Sequence, residues 1–263
     1  MHDGQTQGIG QSAQDGFQPQ GFDGRLIQRR REVRRGIGGR VIEALVLLSA
    51  LAVAIRLPAR RDKATDPFRL RLPHVPVANR RQVLCGIATF CAGITATSFV
   101  LALGPSLLAR LLDVRSPLLA GGMACAMFFS AVGVQFAVRQ WPVARIFAAS
   151  AAATVLAMAS LALAIHASLV PALVASALLA GAGQGLGQLG GLTLIGLHVP
   201  DRHRAQSNAV LNIGGYIPAG LLPVATGYLI DAVGLASGAT LFALVLAIGA
   251  LVGGTWAVHC AET

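Results

Sequence analysis

Charged side chains vanish from long stretches of the chain beyond residue 82. Six apolar runs follow one another at 83–103, 117–137, 143–165, 169–197, 208–230 and 236–258. About 20 apolar residues suffice for an α-helix to cross a hydrocarbon core, so each run predicts a membrane-spanning helix. Short turns or modest loops join them. The fourth run, LVPALVASALLAGAGQGLGQLGGLTLIGL, continues for about 29 residues without a charge and is the longest. Within it Gly183, Gly187 and Gly191 recur on one face and Gly181 and Gly185 on another, so neighbouring helices can come close to its backbone on both. Two amides, Gln184 and Gln188, stand one turn apart among these glycines.

The chain ahead of these runs has a different character. Residues 1–40 are polar, rich in Gly, Gln and Arg, and without sustained apolar periodicity, which predicts a disordered basic tail. Residues 41–55, VIEALVLLSALAVAI, form a short apolar helix that includes Glu43. At that length it either crosses the bilayer or lies in its interface. Residues 56–82 are a connector with Pro58, Pro67, Pro73 and Pro76 and a dense set of basic residues, which makes it cytoplasmic. The organisation expected is therefore a tail (1–40), a short helix with its Arg/Pro-rich connector (41–82), a six-helix transmembrane bundle (83–258) and a cytoplasmic C-terminus (259–263). With the connector inside, Arg139, Arg145, Arg202 and Arg204 also fall inside, and only Arg110 and Arg115 fall outside. Those four inner arginines read as topogenic or gating charges.

Composition agrees. The 263 residues are 54% hydrophobic and 12% charged, with a mean hydropathy of +0.65, which excludes a soluble domain with a polar surface. The net charge of +10 is concentrated in Arg-rich blocks flanking apolar sequence, so it reports membrane orientation and not nucleic-acid binding. Cys85, Cys91, Cys125 and Cys260 show no C-x-x-C spacing and imply neither a disulfide framework nor a zinc site; they read as small apolar packing residues. His166, His198 and His259 fall at separate membrane boundaries, so no metal is expected. The string GLGQLG from Gly185 matches a dinucleotide fingerprint but sits in mid-span, not at a strand-to-helix turn. No cofactor is expected, and no Ser-His-Asp, paired-carboxylate or metal constellation suggests an enzyme.

An uncharged amide or hydroxyl in hydrocarbon needs a partner or a water-lined cavity. Gln184 and Gln188 are thus candidates either for substrate contact or for interhelical hydrogen bonds. Asn212 and Tyr216 continue one face of the fifth run from Asn208, and Thr95 and Ser98 continue a stripe from Cys91 on the first. These too are candidate substrate contacts. Neither Asp, Glu, Lys nor Arg occurs in the interior of the six runs, Arg145 lying within the first turn of its own, so no intramembrane group for proton coupling is encoded there.

A basic, proline-containing connector followed by six spans resembles the central loop and carboxy-terminal half of a major facilitator superfamily transporter. The stretch GAGQGLGQLGGLTLI is similar to the glycine-rich tenth helix of its drug and sugar efflux members. VPDRHRAQSNAVLNIGGYIPAG resembles their loop into the eleventh helix, GYLIDAVG that helix's outer end, and GVQFAVRQWPVAR a degenerate loop motif lacking the usual acidic residue. The resemblance implies an all-α inner-membrane bundle built as an inverted three-plus-three repeat, and efflux of a small organic molecule by alternating access. It also implies that the family's amino-terminal half is not in this chain. The expected partners are the lipid bilayer, a small-molecule substrate, and a missing half or a second copy; the chain would be a truncated gene product or a homodimeric half-transporter. A non-transporting membrane scaffold or assembly subunit is the alternative.

Overall fold

The computed structural model describes residues 75–110, 113 and 116–262. The expected basic tail, the short helix at 41–55, most of the connector and Arg115 lie outside them. After a single 3-10 turn at Val77–Asn79 come six α-helices: α1 Arg80–Arg110, α2 Pro117–Val138, α3 Val143–His166, α4 Val170–His198, α5 Asp201–Val233 and α6 Leu235–Glu262. All six are long and apolar enough to cross a membrane, and no strand occurs among the described residues. The chain is a multi-pass helical membrane protein.

Two element boundaries differ from the sequence reading. The first run was expected to stop at residue 103, just ahead of Gly104-Pro105, but α1 continues through Pro105 to Arg110. A proline deletes one helical hydrogen bond, and the rest of the ladder is kept because lipid offers the backbone no other partners. The loop expected before Asn208 is also helical: α5 begins at Asp201, directly after Pro200 at its N-cap. Arg204 holds this tight turn, donating from Nε to the Val199 carbonyl at 2.9 Å and pairing with Asp201 at 2.7 Å. At the next turn Gly234 adopts φ +88°, which a residue with a Cβ rarely tolerates, and is the single residue between the end of α5 and the start of α6.

Helix α4 sits at the centre, against α1, α2 and α3. Its antiparallel seam with α1 is set by glycine on both sides. Gly86 meets Gly191, Phe90 meets Gly187, and Gly93 meets the backbone at Gly183 and Gln184. On a second face, Cβ atoms at Gly181 and Gly185 would run into the carbonyl oxygens of Met127 and Ala131 on α2. On a third, Gly183 lies against Thr154 and Gly190 against Phe147, both on α3. The bundle then repeats its contacts. Exchanging α1 with α4, α2 with α5 and α3 with α6 maps α1–α5 onto α4–α2, α1–α6 onto α4–α3 and α1–α2 onto α4–α5, while α1–α4 and α3–α6 map onto themselves. The contacts of α1 with α3 and of α5 with α6 are outside this scheme.

The cysteines correct the sequence reading. Cys85 on α1 and Cys260 on α6 form a disulfide, with Cα atoms 6.6 Å apart, and lie in an apolar cluster with Phe147, Leu194 and Ala257. Spacing along the chain could not show this, because 175 residues separate the two. Peptide mapping of unreduced protein should recover Cys85 and Cys260 in one linked species, with Cys91 and Cys125 each alkylated. The glycine seam makes a second prediction. A Cβ at Gly93 would fall 2.6 Å from the Gln184 nitrogen, whereas one at Gly122 would meet nothing within 4 Å. Gly93→Ala should therefore cost about 1–3 kcal/mol in thermal or denaturant unfolding in detergent, and Gly122→Ala should cost nothing.

Candidate functional site

Three hydroxyl side chains, one from each neighbour, donate to the main chain of α4 near its middle. Thr97 of α1 reaches the Ala180 carbonyl (3.3 Å) while also bonding the Gly93 carbonyl of its own helix. Ser130 of α2 reaches Leu178 and Ser150 of α3 reaches Gly183, both at 2.8 Å. Such bonds form where side-chain bulk is missing and the carbonyl stays within reach of a short hydroxyl. Sequence reasoning missed all three residues; a lone Ser or Thr in an apolar run would have been their only signal.

Gln184 lies in the frame those three bonds define. It falls on α4 between the face that meets α1 through Gly187 and the face that meets α2 through Gly185. Its amide oxygen is buried and has no hydrogen-bond partner among the described residues. Gln188, one turn on, is half-buried in the same direction. The seam thus carries two amides, one of them unsatisfied; the buried hydroxyls of Ser176 on α4 and Ser207 on α5 likewise have no hydrogen-bond partner among the described residues.

The remaining sequence candidates are not all brought to this seam. Asn212 donates to the Asn208 carbonyl of its own helix at 3.0 Å, and Tyr216 is 55% exposed, with its ring edge-on to Phe90 at 5.9 Å. Phe90 is fully buried between Gly187 of α4 and Gly215 of α5, so it separates the glutamine row from Tyr216 at one depth. Ser98 is half-buried on α1. Thr95 is fully buried and shares the α1 face of Ala88 and Phe99, which meets α6 through Gly253 and the stacked ring of Phe242. It is therefore turned away from the glutamines.

Of the basic candidates, Arg139 and Arg145 are exposed and make no ion pair among the described residues. Arg202 donates to His203 Nε2 at 3.1 Å, and Arg204 closes the α4–α5 turn. Beside that turn Asn79 donates to the His198 carbonyl at 3.0 Å, so two side chains complete the C-terminal end of α4. No group of three or more His, Cys, Asp or Glu that could hold a metal occurs among the described residues. Comparison with protein-family models, with curated proteins and with solved structures finds no match to this chain.

An unpaired buried amide oxygen costs stability that an apolar side chain of similar volume does not. Gln184→Met should raise the unfolding free energy in detergent by about 1 kcal/mol. A loss of similar size would instead show that the amide has a structural partner.

Proposed function

We propose that the chain is one bundle of a secondary transporter that moves a small organic solute across the inner membrane by alternating access, in the efflux direction, and that it is a carrier and not an enzyme. The helix-exchange pattern of the contacts carries this reading. Successive spans alternate in direction, so α1 and α4 run oppositely, and the exchange of α1–α3 with α4–α6 corresponds to an axis in the membrane plane. Bundles with that inverted relation supply the midplane sites of the major facilitator superfamily, which the glycine-rich α4 and the α4–α5 turn resemble. The unsatisfied amide of Gln184, with Gln188 beside it, is the group we assign to the solute. In this orientation the connector, Arg139, Arg145, Arg202, Arg204 and the C-terminus are cytoplasmic.

Rocking needs a second bundle facing the first. It would come either from further polypeptide or from a second copy of this chain. Support comes from the two most open helices, α2 and α5, which occupy corresponding positions under the exchange and leave apolar side chains such as Phe129, Phe136, Leu221 and Tyr228 exposed.

Flux of a panel of labelled neutral and cationic organic solutes into everted membrane vesicles tests the reading. Expression of the chain should raise the initial rate for at least one solute, and Gln184→Met should lower that rate about tenfold or more while the protein remains folded. Absence of solute-dependent flux for this chain, both alone and supplied with a co-expressed amino-terminal bundle, would refute transport and leave the scaffold reading.

A further inference from the structure

A cavity of about 260 Å³ opens between the last third of α1 and the first turns of α2, lined by Val100, Leu101, Gly104 and Pro105 on one side and by Gly121 and Met127 among others on the other. Neither Gln184 nor Gln188 reaches it, so it is separate from the seam described above. Glycine makes the space. A Cβ at Gly121 would meet nothing within 4 Å, and one at Gly104 only Val100 Cγ1 at 4.0 Å. Leu108 and Met127 are fully buried and form the inner wall, and the methionine side chain at Met123 can adjust to an occupant.

Every lining side chain is apolar, so any polar surface on the wall is main chain. One main-chain group stands out. Pro105 has no N–H to give the Leu101 carbonyl four residues before it, and both residues line the cavity. No side chain among the described residues donates to that carbonyl. The wall therefore includes one carbonyl that lacks its usual helical donor, in an otherwise apolar surround. A charged ligand finds no counter-charge there, and a water molecule would lack the two to four polar partners that hold buried water. A lipid acyl chain would fill the volume but has no donor for the carbonyl.

We propose that this cleft binds a neutral, largely apolar molecule carrying a single hydrogen-bond donor, that is, a cyclic alcohol or a phenol. A cavity of 150 Å³ accepts benzene, which scales to about ten carbons for the 260 Å³ present. The proposal does not depend on the transport reading.

Equilibrium binding to the full chain in lipid nanodiscs, with 1-naphthol, naphthalene and 1-naphthoate as probes, tests it. Naphthol should bind saturably, about fivefold more tightly than naphthalene, the difference one net hydrogen bond makes, and naphthoate should not bind saturably. Gly121→Leu, which fills the cleft, should abolish naphthol binding; Ala124→Leu fills it from a neighbouring position if the first variant folds poorly. Pro105→Ala restores an N–H to the Leu101 carbonyl and should reduce naphthol to the affinity of naphthalene. Equal affinities in the native chain, saturable binding that survives both filling variants, or binding in detergent that is lost in lipid would each overturn the proposal, the last by identifying an acyl chain as the occupant.

Discussion

Helix α4 can lie at the centre of this bundle only because its neighbours touch its backbone. In a bilayer, burying apolar side chains against other apolar side chains yields little, since lipid tails are as apolar as leucine. Association must come from close van der Waals contact and from hydrogen bonds between helices. Gly181 and Gly185 bring α2 to the main chain, Gly187 and Gly191 bring α1, and Gly183 and Gly190 bring α3. At that distance Thr97, Ser130 and Ser150 reach carbonyls that would otherwise be beyond a short side chain. The two effects depend on each other: side chains at the glycines would push the hydroxyls out of range.

That constraint shapes the outer helices. With three neighbours fixed on α4, and α5 and α6 fixed on α1, helices α2 and α5 remain the least enclosed, and their exposed faces are apolar. The ends of the helices are closed by local devices instead: the Arg204 and Asn79 contacts at the C-terminal end of α4, the positive φ of Gly234, and the disulfide between α1 and α6. Polar chemistry is sparse by comparison. In the span interiors several hydroxyls, among them Thr97, Ser130, Ser150 and Thr154, are spent on backbone carbonyls, while Gln184 and a few hydroxyls such as Ser176 keep a buried polar atom without a partner among the described residues.

What the sequence by itself determined is the membrane class, the six spans among the described residues and their limits to within four residues, apart from the end of α1 and the start of α5, which each extend seven residues further. Those follow from local quantities, the length of an apolar run and the charges flanking it. It also marked α4, because glycine repeated at one-turn spacing is visible in a single segment. It misjudged the end of α1, since Gly104-Pro105 reads as a stop where water is available, whereas a bilayer keeps the helix intact around a proline. Only the tertiary structure decided which helices meet. The pairing of Cys85 with Cys260, the turning of Thr95 towards α6 and the separation of Tyr216 from the glutamines by Phe90 all depend on rotation and crossing of whole helices. A near-uniform apolar segment has no strongly polar side to announce its orientation, so its sequence constrains that rotation weakly; shape complementarity at the glycines has to set it.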